Sequence, residues 1–127
     1  MARKIIIMAA VLSLLLLLSV LEQISVSRIT QEALHKTEEI MHRIRAEQFE
    51  TAHKMTKTFD QEWDRQAKML EMMVDHGSTD DVRYAFSRLL AALEARDSAT
   101  AMVYVSELEG AIEHVYERQA VTIENIL

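Results

Sequence analysis

The order of apolar and polar residues divides the chain into one uninterrupted apolar stretch and a long amphipathic remainder. Residues 5–21 contain no charged side chain and only two hydroxyl side chains, those of Ser13 and Ser19. Beyond this stretch, apolar residues recur every three or four positions, which is the period of a helix with one buried face. The pattern predicts an all-α protein, in which an N-terminal transmembrane helix continues into an up-down bundle of three to four antiparallel helices.

The apolar stretch from Ile5 to Leu21 has the length and composition of a membrane span. A helix needs roughly 20 residues to cross the hydrocarbon core of a bilayer. Arg3 and Lys4 precede the stretch and Glu22 follows it. Because cationic flanks stay on the cytoplasmic side, we expect a single-pass protein of the cell membrane, with the N-terminus in the cytoplasm and the C-terminal domain outside.

Two interpretations of the N-terminal region stay open. The first is an uncleaved anchor over residues 1–26, followed by an extracytoplasmic helical bundle over residues 27–127. The second is a signal peptide, because Ser25, Val26 and Ser27 form a small-x-small cleavage sequence. The apolar stretch is long for a signal peptide, which favours the anchor, and both interpretations put the bundle outside the cytoplasm.

The first helix is expected to continue beyond the membrane. No Gly, Pro or turn cluster occurs between Leu21 and Ala46. The apolar period weakens at residues 46–48, which predicts a turn there and a second helix over residues 49–75. A single continuous helix through residues 46–48 is the alternative.

Polar residues predict the remaining helix ends. Gly77 is expected to end the second helix as a left-handed C-cap. Residues 78–81, Ser-Thr-Asp-Asp, have the composition of an N-cap for a third helix, and Asp97 or Ser98 is expected to cap a fourth. The large side chains on the apolar faces predict the core: Phe59, Trp63, Leu70, Phe86, Leu89, Leu108 and Ile112.

Composition narrows the chemistry that the chain can carry. The 127 residues include no Cys, no Pro and two Gly. Without Cys, the protein has no disulfide, zinc–thiolate site or cysteine nucleophile. The formal net charge is −6, and an acidic protein repels the phosphate backbone, so no nucleic-acid partner is expected.

The corner between the second and third helices concentrates polar chemistry. Asp75 and His76 lie there, and antiparallel packing would bring His114 of the fourth helix towards them. Asp75, His76 and His114 are therefore a candidate cluster for a metal ion or a small ligand. The sequence favours the competing interpretation, a helix corner whose charges interact with helix dipoles and which binds no cofactor.

Two Glu-x-x-His pairs, Glu39/His42 and Glu50/His53, have the spacing that di-iron bundles use. Such ligands must point into the bundle, whereas Glu39, His42 and Glu50 fall away from the apolar faces. We interpret these pairs as solvated. The sequence contains no arrangement of nucleophile, histidine and acid that indicates an enzyme.

Several stretches resemble a bacterial family of single-span membrane proteins that is classed as a domain of unknown function. They are Trp63, the run MMVDH that ends at His76, residues 87–115 and the closing Asn125-Ile126-Leu127. The resemblance covers nearly the whole chain and implies a membrane-anchored helical domain that works alongside another small membrane protein. Gly77 and Ser78 depart from the acidic residue that the family pattern has after the Asp-His pair.

These observations predict a membrane-anchored helical module that contacts the lipid bilayer through residues 5–21 and binds another protein, as an accessory or scaffold subunit. The alternative is an extracytoplasmic sensor or metal-binding domain that uses the Asp75–His76 corner. Self-association through the first helix or a methionine-rich face of the second helix is a further expectation.

Overall fold

The computed structural model describes the backbone of residues 1–70 and 76–126. Within these ranges, the side chains that are not described are those of residues 25–26, 69–70, 76–78, 116 and 118–126. The described residues form four α-helices and contain no strand: α1 (Ala2–Arg45), α2 (Phe49–Leu70), α3 (His76–Glu94) and α4 (Ser98–Ile126). The predicted all-α fold is confirmed, and the part of the chain that the structure describes has four helices, the upper number predicted.

α1 joins the apolar segment, residues 5–21, to the bundle without a break. The large apolar side chains of this segment are 45–71 % exposed. Among the described residues, α1 is the one helix that is long and apolar enough to cross a membrane. From Thr30 to Ile44, every third or fourth residue of the same helix is buried. One continuous helix therefore carries an exposed apolar rod at one end and a bundle-forming stripe at the other.

The four helices pack in a ring. α1 contacts α2, α2 contacts α3, α3 contacts α4, and α4 closes the ring on α1, whereas the described backbones of the two diagonal pairs do not approach closely. This is an up-and-down four-helix bundle, because each helix packs on the next helix in the chain. α2 and α4 consequently lie on opposite sides of the bundle and run in the same direction.

Two turns with the same geometry join α1 to α2 and α3 to α4. The first corner (residues 46–48) and the second corner (residues 95–97) each contain one non-glycine residue in the left-handed region, Glu47 with φ 57° and Arg96 with φ 55°. The amide of the following residue donates to the carbonyl five residues earlier. These bonds run from Gln48 to Arg43 at 2.9 Å and from Asp97 to Ala92 at 3.1 Å. This is the Schellman arrangement, and it confirms the turn predicted at residues 46–48.

The predicted end of the second helix at Gly77 is wrong. α3 begins at His76, so Gly77 and residues 78–81 lie inside its first turns. Ser, Thr and Asp fit this place because the first amides of a helix have no partner within it. Residues 71–75, which include Asp75, lie outside the described residues.

The buried side chains form five levels between the corner end of the bundle, where both corners lie, and the stem end, from which the apolar segment extends. Buried positions on α1, α2 and α4 are three or four residues apart, as in coiled-coil-like packing, and α3 also buries Ala85 and Ala92 beside Phe86 and Leu93. From the corner end, the levels that this spacing indicates are Ile44, Ala52, Leu93 and Ala101; Ile40, Thr56, Leu89 and Val105; Thr37, Phe59, Phe86 and Leu108; Ala33, Trp63, Val82 and Ile112; and Thr30, Ala67, Thr79 and Val115. In the third level, Phe59 and Phe86 make an edge-to-face contact with ring centroids 4.9 Å apart.

Six of the seven residues expected in the core are buried, each at most 4 % exposed, and the side chain of the seventh, Leu70, is outside the described set. Four threonines share this core: Thr30, Thr37, Thr56 and Thr79. Thr37 Oγ1 donates to the Leu34 carbonyl and Thr56 Oγ1 to the Ala52 carbonyl, both at 2.7 Å. These two hydroxyls are satisfied within their own helices, so burying them costs little.

Replacing Glu47 or Arg96 with Gly is expected to raise the free energy of unfolding by about 0.5–1 kcal/mol each. A side chain in the left-handed region costs about 1–2 kcal/mol, and the greater freedom of Gly in the unfolded chain offsets part of the gain. Thermal unfolding of the full chain, followed by circular dichroism, measures the effect. Glu47→Ala and Arg96→Ala are the matched controls, because they keep the Cβ atom. A Gly variant no more stable than its Ala control would contradict strain at the corner.

Candidate interaction surfaces

The cluster predicted at the stem end is only partly described. His114 is exposed on α4, away from the buried stripe of that helix. The side chains of Asp75 and His76 lie outside the described residues. Their approach to His114 therefore stays a prediction.

The two Glu-x-x-His pairs lie on the surface. His35 Nε2 is 3.2 Å from Glu39 Oε1 along α1, and His53 Nε2 is 3.3 Å from Glu94 Oε1 on α3. His42 is exposed. Within residues 1–70 and 76–126, no three described His, Asp or Glu side chains are grouped so that they could hold a metal ion.

A groove of about 310 Å³ lies between α1 and α2. Its floor is apolar and its rim carries both signs of charge, and the lining residues are Lys36, Glu39, Ile40, Lys54, Met55, Thr58, Phe59 and Glu62. Lys36 forms an ion pair with Glu62, and its Nζ lies 5.4 Å from the centroid of the Phe59 ring. This groove offers contact area to another molecule, and Lys36 and Glu62 on its rim are paired with each other.

Ion pairs connect neighbouring helices at the corner end. Glu50 Oε1 is 3.8 Å from Arg96 Nη2, and the His53–Glu94 contact lies beside it. The Glu50–Arg96 pair joins α2 to the second corner, and the His53–Glu94 contact joins α2 to the end of α3. Because these groups are largely exposed, each pair contributes less than about 1 kcal/mol.

The outward face of α2 is basic. Between residues 51 and 68, the four most exposed charged residues are all cationic: Lys54, Lys57, Arg65 and Lys68. The acidic residues of this stretch point sideways instead, since Glu62 pairs with α1 and Asp64 pairs with Arg83 of α3. We call these four cations the basic stripe. Their spacing of three to eight residues is visible in the sequence, but only the structure shows that they share one outward face.

The outward face of α4 is acidic. Between residues 98 and 117, every exposed charged side chain is a glutamate: Glu107, Glu113 and Glu117. We call these three residues the acidic stripe. Glu107 Oε2 is also 3.5 Å from Arg88 Nη1 of α3. Since α2 and α4 are diagonal in the ring, the bundle has one basic side and one acidic side.

Asp60 lies where α2 meets α3. Partial burial raises the pKa of its carboxyl group, the nearby Asp64 carboxylate raises it further, and Arg83 partly offsets both effects. Arg83 Nη2 is 3.4 Å from Asp64 Oδ1, and Arg83 Nη1 is 3.9 Å from Asp80 Oδ1. The ionised form of Asp60 is therefore disfavoured in the folded protein.

Asp97 caps α4, which confirms the first of the two predicted caps, Asp97 and Ser98. The Thr100 amide donates to Asp97 Oδ1 at 3.1 Å, and Thr100 Oγ1 donates to Asp97 Oδ2 at 2.6 Å. These bonds, with the hydroxyl bond the stronger influence, hold the pKa of the Asp97 carboxyl below its usual value of 3.8. The carboxylate form of Asp97 is thus favoured by folding.

Fold and surfaces together define a class of protein: an up-and-down four-helix bundle built on one long helix that extends as an exposed apolar rod. A family model described as a domain of unknown function, DUF4363, matches residues 20–126, and the chain belongs to this family. The match includes the whole bundle and only the last residues of the apolar segment. No curated protein and no solved structure matches the chain.

The stability contributed by the Asp97 carboxylate is expected to depend on pH. Because folding lowers the pKa, the contribution is present above the unfolded value near 3.8 and is lost as the pH falls through the folded value. Asp97→Asn keeps a capping side chain that does not ionise. We expect this variant to unfold at a lower temperature than the original protein at neutral pH, with the difference vanishing in acid.

Thr100→Val is the matched test of the same cap, because it removes the hydroxyl donor and keeps the shape. It should abolish most of the pH dependence that Asp97 contributes. If the unfolding temperatures of Asp97→Asn and the original protein differed by the same amount at neutral and acid pH, a lowered pKa of Asp97 would be contradicted.

Asp60→Asn is expected to have the opposite effect, a rise in stability at neutral pH. Folding raises the pKa of Asp60, so its proton-bound form stabilises the fold below the unfolded pKa, and that contribution is lost as the pH rises through the folded value. The gain from Asn should be below about 1 kcal/mol, since the group is only partly buried, and it should disappear in acid.

Asp64→Asn is the control, because it relieves the same repulsion but also removes the 3.4 Å contact with Arg83. No gain is expected from it. Thermal unfolding of both variants at neutral and acid pH makes the comparison, and equal gains would show that Asp60 is not the disfavoured charge.

Proposed function

We propose that the protein is a single-pass, membrane-anchored module whose bundle binds another membrane protein, as an accessory or scaffold subunit without catalytic activity. The observation that carries this proposal is the continuity of α1. One helix contains both the exposed apolar segment and the buried stripe that completes the bundle. The bundle is thereby attached rigidly to whatever surrounds the apolar segment.

The exposed apolar segment supports the membrane anchor. Its large side chains are 45–71 % exposed, and a continuous apolar surface of this size is typical of contact with lipid or protein. Residues 5–21 carry no charge, and Arg3 and Lys4 precede them. By the positive-inside rule, this arrangement favours a cytoplasmic N-terminus and an extracytoplasmic bundle.

The short distance between the apolar segment and the bundle supports a partner in the same membrane. The apolar segment ends at Leu21, and Thr30 is the first buried residue of α1 among its described side chains. Nine residues of helix span roughly 14 Å. A bundle held this close to the bilayer reaches the extracytoplasmic loops of a neighbouring membrane protein before it reaches soluble partners.

The bundle itself supports a binding role rather than a catalytic one. Side chains fill all five levels of the core, and three ion pairs, Lys36–Glu62, Arg83–Asp64 and Arg88–Glu107, join neighbouring helices at the surface. What the bundle presents outward is a shallow apolar groove and two charged sides. These features are typical of a surface for protein contact.

The proposal predicts that the full-length chain stays in the membrane fraction after alkaline carbonate extraction and captures an integral membrane protein at near-equal amount after crosslinking. Deleting the chain should lower the abundance of that partner, and the full-length chain should restore it. The matched control is residues 27–127 secreted behind a cleavable signal, which should not restore it. Release by carbonate would overturn the anchor, and recovery of the protein alone would overturn the accessory role.

A further inference from the structure

We propose that copies of this protein associate side by side in the membrane plane, with the basic stripe on α2 of one copy against the acidic stripe on α4 of the next. The proposal rests on the membrane anchor proposed above, because the anchor aligns the copies. It identifies a second copy of the chain as the occupant of both charged sides.

Charge complementarity is the first argument. The most exposed charged residues of α2 between residues 51 and 68 are all cationic, and those of α4 between residues 98 and 117 are all anionic. Within the described residues, none of the four cations of the basic stripe has an ion-pair partner, and neither has Glu113 or Glu117. One side of the bundle thus carries unpaired positive charges and the opposite side carries unpaired negative charges. This distribution favours contact between the basic side of one copy and the acidic side of another.

The heights of the two stripes give the second argument. Trp63 of α2 and Ile112 of α4 belong to the same level, and Arg65 and Glu113 follow them by two residues and one residue. At the next level, Lys68 follows Ala67 by one residue and Glu117 follows Val115 by two. A mismatch of one residue is about 1.5 Å along the helix. Two charge pairs therefore lie at matching heights, and Lys57 and Glu107 form a third.

The anchor gives the third argument. α2 and α4 both run from the corner end to the stem end, so α2 of one copy and α4 of the next would lie side by side with parallel chain directions. A membrane span holds every copy upright at one height, and lateral approach then brings matching levels together. The contact joins two different sides, so it is heterologous and repeats into an open row rather than closing as a symmetric dimer.

Confinement in the membrane compensates for the weakness of each contact. Exposed ion pairs are individually weak and are screened by salt. Restricting the copies to one plane and one orientation raises their effective concentration, as tethering does. Association by these stripes should therefore be reversible, sensitive to salt and dependent on the anchor.

The absence of cysteine allows a direct test by crosslinking. Gln61 on α2 and Gly110 on α4 are exposed, uncharged and at the same height between the third and fourth levels. A Cβ atom added at Gly110 meets nothing within 4 Å. Gln61→Cys and Gly110→Cys therefore place thiols inside the proposed contact without altering its charges.

The experiment uses full-length chains in their native membrane and a short bismaleimide crosslinker. Neither single-cysteine variant alone should give crosslinked dimer, whereas co-expression of the two should. The chain that carries both cysteines should give a ladder of dimers, trimers and larger products. Crosslinking of either single variant with itself at equal yield would overturn the heterologous contact, as would capture of a different protein at these thiols in place of a second copy.

Charge reversal provides the matched controls. Arg65→Glu with Lys68→Glu, in the double-cysteine chain, should lower the yield of the ladder at least tenfold. Adding Glu113→Arg and Glu117→Lys to the same chain should restore it, since the two sides are then complementary again. Reversing the charges of two exposed residues of α1, Glu38 and Arg45, leaves both stripes intact and should not change the yield of the ladder. Unchanged yield after the first reversal would overturn the proposal.

The outcomes separate this proposal from the proposed function. Carbonate extraction and labelling of each thiol with a maleimide are measured on the same membranes. Release from the membrane would overturn the anchor and this association together. Retention with reactive thiols but no crosslinks would overturn the association alone and leave the accessory role standing.

Discussion

The packing of the second half of α1 against α2 and α4 is the contact on which the rest of the structure depends. Residues 30–44 of this helix supply the fourth side of the bundle, and without them the apolar faces of α2 and α4 would be open to water. The same helix carries the exposed apolar segment. The orientation of the bundle relative to the apolar segment is therefore set by helix geometry, because the two belong to one helix.

Polarity is divided sharply between the interior and the surface. The described core holds apolar residues and four threonines, and two of the threonines bond to carbonyls of their own helices. Charged side chains that meet across adjacent helices largely pair, as Lys36 does with Glu62 and Arg83 with Asp64. Among the described residues, the four cations of the basic stripe and Glu113 and Glu117 of the acidic stripe have no ion-pair partner. The surfaces available for function are thus the sides that no neighbouring helix covers.

The sequence predicted the parts of the fold that depend on local rules. The turn at residues 46–48 and the cap at Asp97 follow from hydrogen bonds within a few residues. The start of α3 was predicted wrongly. A glycine followed by Ser, Thr and Asp can lie after the last turn of one helix or within the first turn of the next, and the sequence around Gly77 does not distinguish these two places. The buried threonines were missed because a stripe search counts apolar residues, whereas Thr37 and Thr56 satisfy their hydroxyls locally.

The sequence by itself determined that the protein is helical, where its uncharged segment lies and which faces of the helices are apolar, because these properties follow from the period and identity of neighbouring residues. Only the tertiary structure decided the pairing of the helices in a ring, the levels of the core and the opposition of the basic and acidic stripes. Residues of α2 and α4 are far apart in the chain, and no local rule relates their faces. Their relation comes from packing, since burying four apolar stripes around one axis fixes the direction in which every remaining charge points.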